Sequence, residues 1–427
     1  MTATKKEVSY EQWHNMTSAK GNREQAIEYM KCCKDPQFKD LVKDRHVFAF
    51  RNGIYIANAD DSKQDLYDYF YEFDSNEPFY LPNDIVASKY FDLDFNNHLE
   101  CKNWSEIPTP FLESIMNYQE FPEGVKQWMY ILLGRLIYEV NELDQWQVMP
   151  FLKGQAGTGK STITGKIAKA FYEYMDVGML SNNSEKTFGL SSFYNKLLFI
   201  APEIKNDIKV DQAEMQGIIS GEDVVVAEKF KTAHMVEWKV PGMIAGNEVP
   251  GWIDNAGSIS RRIIVFQFDK KVAQDKSDTK LGDKLFRELP SIIKKCNSAY
   301  LSAVKAFGND DIWAHLPKYF KEQKQSLQEQ SNALQSFLSS ESVRLGEDVY
   351  CMEKTFVDAF NDYCRDHHYP KHKWNSDFYL GPFSQVKVKV EKKKRRKVGD
   401  KSVNGTFIMG LEIVTPDDGY DSNDPES

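Results

Sequence analysis

The sequence predicts an α/β fold whose central part is a layered core of strands and helices. Between residue 146 and about residue 270, strand-like apolar runs alternate with helical patterns, and such alternation is typical of α/β proteins. The strand-like runs are VMPFLK, KLLFIAP, VPGMIAG and RRIIVFQF. A glycine-rich motif of the phosphate-binding kind lies between the first of these runs and a helical pattern.

Length and composition support folded domains. The chain has 427 residues, enough for about two to four domains. An apolar share of 41% and an aromatic share of 13% exclude a wholly disordered chain, because they are high enough to build cores. The formal net charge of −9 argues against a uniformly basic nucleic-acid coat protein, although it leaves room for a local basic site.

The cysteines and the hydrophobic runs predict a soluble intracellular protein. Six cysteines occur without a C-x-x-C pair, which favours reduced thiols over a disulfide framework or a zinc ribbon. The N-terminal MTATKKEVSYEQWHNM has no apolar signal core, and the most hydrophobic run, WMYILLGRLIYEV, is short and interrupted by Arg135. We therefore expect no membrane segment. The cysteines are Cys32, Cys33, Cys101, Cys296, Cys351 and Cys364.

Changes in pattern along the chain predict six segments. HVFAFRNGIYIA is typical of a β-hairpin with Asn52-Gly53 as its turn. Phe320, Leu327 and Leu334 are spaced seven apart, which indicates a packing seam on helices. The predicted segments are an N-terminal accessory domain (1–110), a helical collar or linker (111–145), the α/β core (146–280), a helical segment (281–340), a small α/β domain (341–415) and an acidic disordered tail (416–427).

The glycine-rich motif is GQAGTGKST, residues 154–162, which fits G-x-x-x-x-G-K-[ST]. A loop of this kind turns its backbone N–H groups inward around phosphates, Lys160 reaches the β- and γ-phosphates, and the Ser161 hydroxyl ligates Mg²⁺. ATP and Mg²⁺ are therefore the expected cofactors, although kinases, GTPases, transporters and DNA motors share the loop. The predicted nucleotide-binding residues are Gly154, Gln155, Ala156, Gly157, Thr158, Gly159, Lys160, Ser161 and Thr162.

Three later positions supply further candidates for ATP hydrolysis. NKLLFIAPEIKND is an apolar strand that ends at Glu203, the candidate acid for Mg²⁺ and for the attacking water, with Asp207 as a weaker alternative. MIAGNEVPGW delivers Asn247, whose amide can hold that water or sense the γ-phosphate. SISRRIIVFQF places Arg261 and Arg262 before a buried strand, either as solvated charge or as fingers that reach a neighbouring subunit's nucleotide.

This order of motifs resembles the superfamily 3 helicases, which are hexameric AAA+ motors of viruses, plasmids and phage satellites. HVFAFRNGIY, GVKQWMYILLGRLIYE and SISRRIIVFQF are similar to the poxvirus-type primase–helicases of large DNA viruses and their phage relatives, over roughly residues 45 to 412. The resemblance implies an AAA+ P-loop core with an N-terminal α+β or helical accessory domain. It also implies Lys160 and Ser161 on phosphate and Mg²⁺, Glu203 as the catalytic acid, and Asn247 as the sensor. Arg262 matches the arginine finger best, with Arg261 as the runner-up.

A predicted hairpin between Glu203 and Asn247 is the first candidate DNA contact. VVVAE and HMVEWKV are strand-like and flank the tip KFKT. In the resembling helicases the equivalent hairpin projects into the central channel of the ring. Lys229 and Lys231 would then contact phosphates, and Phe230 would stack on a base or a sugar, without reading sequence. The alternative is a surface hairpin with solvated lysines.

The second candidate DNA contact is the run VKVKVEKKKRRKVGDKSV, residues 386–403, with nine Lys or Arg against two acids and thus a local charge of +7. A solvated loop, a nuclear localisation signal and a DNA-contacting wing are the three interpretations. We favour the wing, because strand-like flanks and the helix pattern KTFVDAFNDYC resemble the C-terminal winged-helix domain of the viral family. The candidate residues are Lys392, Lys393, Lys394, Arg395, Arg396 and Lys397.

Two other sets of residues are interpreted as having no catalytic role. Asp92 and Asp94 in KYFDLDFNNH resemble a primase acid pair, but the stretch before the core is too short for a primase domain, so we interpret them as structural. A second set lacks the paired spacing of a zinc site and consists of Cys351, Cys364, His367, His368 and His372.

The sequence thus predicts an ATP-dependent hexameric replicative helicase that translocates on single-stranded DNA and unwinds duplex. A P-loop packaging ATPase or an assembly ATPase without strand separation is the alternative, and strand displacement on a forked duplex distinguishes them. Expected partners are single-stranded and forked DNA, five further copies of the chain, and a primase and polymerase, with no membrane. The expected location is a viral or phage replication site, in either the cytoplasm or the nucleus of the host.

Overall fold

A computed structural model of the chain divides into two compact units, Met1–Asp44 with Pro78–Ala87, and Arg45–Glu77 with Ser88–Ser427. In the first unit, helix α1 (Lys20–Cys32) is largely exposed, and the Val42 N–H donates to the Asp84 carbonyl at 2.8 Å. The residues that the structure describes are 10–11, 14, 18–32, 40–60, 66–75, 81–82, 84–180, 190–204, 210–227, 232–247, 249–250, 257–273, 275, 277–331, 333–367, 369, 374, 376–398 and 401–414.

A four-stranded sheet precedes the core, with strand order β3-β2-β1-β4. Its strands are β1 (Val42–Phe50), β2 (Gly53–Asp60), β3 (Leu66–Glu72) and β4 (Ile85–Phe91). The β1–β2 pair is antiparallel and places Phe50 opposite Gly53 across the turn, so the hairpin predicted at Asn52-Gly53 is confirmed. Phe48, Tyr55 and Phe91 fill the core beneath this sheet.

Two helices, α2 (Pro110–Tyr118) and α3 (Glu123–Arg135), lead into the α/β core. Helix α3 is buried along most of its length, which explains its apolar sequence. Arg135, which interrupts that run, is itself buried and forms an ion pair with Asp144, Nε to Oδ2 at 2.7 Å and Nη2 to Oδ1 at 3.0 Å. Burial alone would raise the pKa of Asp144, but the guanidinium holds it below its usual value. The apolar run can therefore contain a buried arginine, because the charge of Arg135 is paired with that of Asp144.

The core is a five-stranded parallel sheet with strand order β11-β5-β10-β7-β6, so the predicted α/β class is confirmed. The four strand-like runs all form strands, and the short edge strand β6 is an addition to them. The core elements are β5 (Met149–Gly154), α4 (Lys160–Thr162), β6 (Val177–Met179), β7 (Leu198–Ile204), α5 (Gln212–Ser220), β8 (Asp223–Val226), β9 (His234–Glu237), β10 (Gly242–Gly246) and β11 (Ile263–Phe268).

The helix after the P-loop is less regular than its sequence pattern suggests. Helix α4 is followed by a π-helical turn (Ile163–Ile167) and a 3₁₀ turn (Ala168–Phe171). The Thr164 hydroxyl donates to the Lys160 carbonyl at 3.3 Å, and such side-chain bonds to the preceding turn disturb helix geometry. The segment is held against the sheet by its buried apolar side chains, Ile163, Ile167 and Phe171, although its helix is irregular.

The 281–340 region is helical, as predicted, and is dominated by a 27-residue helix. Phe320, Leu327 and Leu334 are buried, at 1%, 8% and 0% exposed, as a packing role predicts. They do not form one seam, however, because each belongs to a different hydrophobic cluster and Leu334 lies on the next helix. The helices are α6 (Leu281–Phe307), α7 (Ile312–His315), α8 (Lys318–Ser331) and α9 (Ala333–Leu338). Among the described residues, no helix is both long and apolar enough to span a membrane.

The C-terminal part is a three-stranded antiparallel sheet, order β12-β14-β13, with helices that share its core. The predicted amphipathic helix is α10, whose Phe356 and Phe360 are buried. The basic run 392–397 lies within a strand and not in a loop between two short strands. The elements are β12 (Val343–Met352), α10 (Glu353–Asp366), α11 (Ser376–Gln385), β13 (Lys389–Val398) and β14 (Lys401–Ile413).

Candidate nucleotide-binding and DNA-contact sites

The register of the parallel sheet gathers three predicted site segments at one edge. Gly246, the last residue of β10, pairs with Lys153 on β5 and with Ile204 on β7. Asn247 therefore follows a strand end that lies between the start of the P-loop and Glu203. Carboxyl ends of parallel strands meet at the same edge of a sheet, which is where α/β proteins bind ligands.

The P-loop backbone requires glycine at its two ends. Gly154 has φ +150° and lies so close to β11 that a Cβ there would meet the Phe268 carbonyl oxygen at 2.1 Å. Gly159, directly before Lys160, has φ +98°, in the left-handed region that favours glycine. The Thr158 hydroxyl donates to the Gln155 carbonyl at 2.9 Å and closes the loop between them. The motif therefore adopts a tight loop at the N-terminus of α4.

Lys160 is buried and occupies the hollow of the loop. Its Nζ donates to the carbonyl oxygens of Gly154 and Gln155, the latter at 2.6 Å. Burial lowers the pKa of Lys160, and the Glu203 carboxylate acts in the opposite direction. A phosphate in the loop would offer the ammonium stronger acceptors than these carbonyls.

Ser161, Glu203 and Asn247 are exposed at this edge, and none of the three side chains has a hydrogen-bond partner among the described residues. A hydroxyl and a carboxylate oxygen are the hard donors that Mg²⁺ takes beside nucleotide phosphates, so the residues present fit that ion. Asp207, the alternative acid, lies outside the described residues.

Gln119, which no sequence pattern singled out, holds the P-loop from outside. Its Nε2 donates to the carbonyls of Thr158 (3.0 Å) and Lys270 (2.7 Å), while its Oε1 accepts from the Lys270 N–H at 2.9 Å. The Val272 N–H donates to the Gly157 carbonyl at 2.9 Å. The chain after β11 is thus attached to the loop at two points. These partners are remote in sequence, so no local signal could have revealed them.

A cavity of about 620 Å³ opens beside the P-loop and was not predicted. Its walls are α2, the P-loop with the turns after it, and the chain that leads into α6. Phe111, Ile115 and Leu281 give it an apolar lining, with Tyr118 and Lys166 among its polar members. Mostly apolar walls with a few polar groups suit a nucleobase and its ribose.

Buried charges hold α2 and α6, two walls of this cavity, together. The Glu288 carboxylate of α6 accepts from the N–H groups of Phe111 (2.9 Å) and Leu112 (3.0 Å) in the first turn of α2. Burial raises the pKa of Glu288. Lys295 contacts Glu113 at 2.8 Å. A carboxylate at a helix N-terminus satisfies otherwise unpaired donors and interacts favourably with the helix dipole.

The two arginines before β11 have different environments. Arg262 is 6% exposed, its Nε donates to the Ser220 hydroxyl and its Nη1 to the Ser258 carbonyl, both at 2.8 Å, and Nη2 lies 3.7 Å from Glu222. Arg261 is exposed. The guanidinium of Arg262, the preferred finger candidate, is thus engaged inside its own chain, and the choice between the two arginines stays a prediction. Sequence could not separate two adjacent arginines that differ only in side-chain direction.

The hairpin predicted between Glu203 and Asn247 is present as the antiparallel pair β8–β9. Its tip residues Lys229, Phe230 and Lys231 lie outside the described residues. On its stem, Val225 and Met235 are cross-strand partners and are 60% and 68% exposed. The stem therefore presents an apolar pair to its surroundings.

The basic run lies on β13, an edge strand that carries a β-bulge between Glu391 and Lys394. Lys393 has φ +55°, and bulges of this kind redirect side chains. Arg396 is engaged, since it contacts Glu391 at 2.9 Å and lies 5.0 Å over the Tyr350 ring. Arg395 donates to Ser402 at 3.1 Å. The exposed members are Lys392, Lys393, Lys394, Arg395 and Lys397.

The residues interpreted as non-catalytic have ordinary contacts where they are described. Asp94 and Asp92 pair with Arg51 at 3.2 and 3.9 Å. Burial raises the pKa of Cys351 to about 12 and that of Cys364 to about 11, and His368 and His372 lie outside the described residues. Within the described part, the group of His, Cys and acidic ligand atoms close enough to share a metal is a different one, composed of His98, Glu100 and Cys101.

Comparison with known proteins finds one family model and several solved structures. The model, described as a family of unknown function (DUF5906), matches residues 152–262. Three similar structures are of the NrS-1 C-terminal region. The first, an A-form apo structure, is 12% identical with a TM-score of 0.42 and covers 91% of this chain and 90% of that one. A second apo structure is 12% identical with a TM-score of 0.38 and covers 86% of this chain and 96% of that one. A third is 11% identical with a TM-score of 0.37 and covers 77% of this chain and 86% of that one.

Proposed function

We propose that the chain is an ATP-dependent DNA helicase of the superfamily 3, AAA+ type, which assembles into a hexameric ring. The observation that carries this proposal is the sheet register. It sets the strand that ends at Asn247 between the P-loop strand and the strand that carries Glu203. An acid and an amide would then flank the γ-phosphate of an ATP bound at the P-loop, which is what hydrolysis of ATP by an activated water needs.

In the proposed reaction, Lys160 exchanges its carbonyl acceptors for the β- and γ-phosphates. Mg²⁺ would be held by Ser161 and, through water, by Glu203, and it would neutralise charge on the phosphates. The Glu203 carboxylate accepts a proton from the attacking water, while Asn247 orients that water. The leaving group is ADP. The base and the ribose occupy the cavity between α2 and α6.

Coupling to DNA follows from chain connectivity. The hairpin β8–β9 is inserted between β7, which carries Glu203, and β10, which leads to Asn247. The chain reaches the hairpin from β7 through residues 205–222, which include α5, and residues 238–241 connect the hairpin to the start of β10. A change at the nucleotide edge would therefore reach the hairpin through α5 on one side and along β10 on the other. We propose that the hairpin tip grips one strand and that the C-terminal α/β part acts as a winged-helix-like domain whose β13 contacts the DNA backbone. This arrangement favours a motor over an ATPase that only assembles.

Strand displacement on a forked duplex, with ATPase measured on the same sample, tests the proposal. Wild type should displace the strand only with ATP and Mg²⁺, and negative-stain images should show rings. Lys160→Ala should lose both activities, whereas Lys102→Ala, a matched change at an exposed lysine, should keep them. ATP hydrolysis without strand displacement would instead favour the packaging or assembly ATPase. Absence of both from wild type would refute an ATP-driven function.

A further inference from the structure

The segment between β4 and α2, residues 92–109, has little regular secondary structure, and two contacts fix its ends. The Asn52 side chain donates to the Phe95 carbonyl at 2.9 Å and accepts from the Phe95 N–H at 2.8 Å. The Lys295 Nζ donates to the Ile107 carbonyl at 2.8 Å. Irregular connections longer than about 12–15 residues are uncommon in compact domains and usually carry a function. The middle of this segment is therefore the part that needs a physical account.

A tight turn in the middle of the segment brings three groups that ligate metals together. The Cys101 N–H donates to the His98 carbonyl at 3.0 Å, which closes the turn. One ligand atom each from His98, Glu100 and Cys101 lies within 4.8 Å of the other two. Cys101 is a free cysteine, so its sulfur is not held in a disulfide. A nitrogen, an oxygen and a sulfur therefore converge at one place.

The spacing of these atoms suits a tetrahedral metal ion. His98 Nδ1 lies 3.2 Å from Glu100 Oε1. With Zn–N and Zn–O bonds of about 2.0–2.2 Å, two such ligands of a tetrahedral zinc ion are roughly 3.3 Å apart. A Zn–S bond of about 2.3 Å places the sulfur roughly 3.6 Å from each of them. A hydrogen bond between His98 and Glu100 would give a similar N–O distance, but it would not require a cysteine sulfur beside it.

His98 has the orientation that a metal ligand needs. Its side chain is 5% exposed, and its Nε2 lies 2.9 Å from the Ser291 hydroxyl of α6. When Nε2 carries the proton and donates it to Ser291, the lone pair of Nδ1 faces Glu100. Histidine ligands almost always have such a partner on the second nitrogen, because that bond fixes the tautomer and the ring. Ser291 therefore belongs to the site without touching the ion.

Two buried oxygens beside the cluster are a separate indication of a ligand. Among the residues that the structure describes, the Asn97 side-chain oxygen and the Ser75 hydroxyl are buried without a hydrogen-bond partner. Both residues line a cavity of about 430 Å³, and Glu100 lines it too. Buried polar atoms nearly always have partners, so such atoms point to water or to an ion. A metal-bound water at the wall formed by Glu100 would supply a partner of this kind.

The donor set selects the kind of ion. Thiolate and imidazole are ligands that Zn²⁺ prefers, whereas Mg²⁺ and Ca²⁺ take oxygen ligands almost exclusively. A carboxylate oxygen is also a common zinc ligand. Three protein ligands leave one position of a tetrahedral ion for water.

We propose that His98, Glu100 and Cys101 bind one Zn²⁺ ion, with water as the fourth ligand and Ser291 as a positioning residue. Because Ser291 belongs to α6, the bound ion attaches the middle of the 92–109 segment to that helix. The site is separate from the P-loop, and the inference does not depend on the proposed ATPase function.

Metal binding by the full-length chain tests the site. After treatment with a chelator and its removal, wild type should bind one Zn²⁺ per chain, and Co²⁺ in its place should give a thiolate-to-cobalt charge-transfer band in the near ultraviolet. Cys101→Ser should lose this band and bind Zn²⁺ at least about 10²-fold more weakly, a larger loss than removal of an orienting partner causes. Glu100→Gln should weaken binding but keep the band. Cys351→Ser, a matched change at a half-buried cysteine on β12, should bind as wild type does.

Ser291→Ala tests the positioning role. We expect its affinity for Zn²⁺ to fall about tenfold, with the cobalt band retained because all three ligands remain. Ser302→Ala, a change at an exposed serine of the same helix, is the matched control and should bind normally. A merely structural Ser291 would instead lower the thermal midpoint in chelator and leave the affinity unchanged, which would refute positioning.

Thermal unfolding separates loss of the site from misfolding. Zn²⁺ should raise the thermal midpoint of wild type and of Cys351→Ser but not that of Cys101→Ser, because an ion that binds only the folded chain stabilises it. In chelator, the three proteins should unfold at nearly the same temperature. The zinc site is refuted if wild type binds no Zn²⁺ or if its Co²⁺ form lacks the thiolate band. Equal affinity in wild type and Cys101→Ser would place the ion elsewhere and refute it as well.

Discussion

The Gln119 amide bonds to the Thr158 carbonyl at 3.0 Å, across 39 residues of sequence, and so attaches helix α2 to the P-loop. Gln119→Ala removes this bond and those to Lys270. Only the bond to Thr158 reaches the P-loop directly, and a lost neutral hydrogen bond costs about 1 kcal/mol, so we expect KM for ATP to rise about fivefold with kcat nearly unchanged. Asn117→Ala, an exposed change in the last turn of α2, should leave KM as it is. An unaltered KM in Gln119→Ala would show that the loop keeps its shape without the amide.

Glu203→Gln should separate nucleotide binding from hydrolysis. Glutamine retains an oxygen at the strand end but cannot accept the proton of the attacking water. We expect a Kd for ATP close to that of wild type, ATP turnover reduced by at least about 10²-fold, and rings that persist with ATP. Nucleotide binding and steady-state turnover are the measurements. Normal turnover in Glu203→Gln together with an inactive Asp207→Asn would reassign the acid to Asp207.

The buried pair Arg135–Asp144 should be a major contributor to stability. Asp144→Asn leaves the Arg135 guanidinium buried without its counter-charge, which costs about 3–5 kcal/mol in comparable sites. Urea unfolding measures this loss. The double variant Arg135→Met, Asp144→Asn should recover part of it, because no unpaired charge remains. Equal losses in the single and double variants would show that packing, not charge, dominates.

The same pair predicts an acid-dependent loss of stability. Arg135 holds the pKa of folded Asp144 below its ordinary value of 3.8. The carboxylate therefore contributes stability above pH 3.8, and this contribution is lost as pH falls through the lowered folded pKa. The difference in unfolding free energy between wild type and Asp144→Asn should shrink below that pH. A difference that stays constant with pH would contradict the assignment.

The members of the basic strand should contribute unequally to DNA affinity. Replacing Lys392, Lys393 and Lys394 with alanine should reduce the slope of log K against log salt by about 2–3, since each phosphate contact contributes about 0.9. DNA-free ATPase should be retained. Arg396→Ala should change the slope little, because Glu391 and Tyr350 already engage its guanidinium. Unchanged DNA binding with lost nuclear accumulation would favour the targeting interpretation.

The strands of the core could be predicted from sequence because they are buried on both faces and form continuous apolar runs. The edge strand β6 could not, since Val177–Met179 is too short to produce a pattern. The basic run resembled a loop by composition. It is a strand because Lys394–Lys397 pair with Ser402–Gly405 of β14, whose apolar members Phe407 and Ile408 are buried in the core.

The residues of the candidate site also fall into those that sequence patterns predict and those that they do not. A motif with fixed spacing predicts the P-loop, and strand ends predict Glu203 and Asn247 as its neighbours, in agreement with the sheet register. Gln119 and Glu288 act through backbone groups far away in sequence, so their roles have no local signature. Arg262 is buried and Arg261 is exposed, because the side chain of Arg262 is the one that faces Ser220. The sequence alone does not show which of the two side chains faces Ser220.

The order of strands in space differs from their order of synthesis. Strands β5 and β7 are synthesised before β10, but β10 lies between them in the sheet. Strands β5 and β7 are therefore two strand spacings, or roughly 10 Å, apart. A nascent chain that has emerged only through Ile204 already contains the P-loop and Glu203, yet the sheet that unites them has a gap until Gly242–Gly246 arrives. Premature termination before residue 242 would therefore leave two separated half-sites. The proposed ATP hydrolysis should therefore require synthesis to continue at least through Gly246.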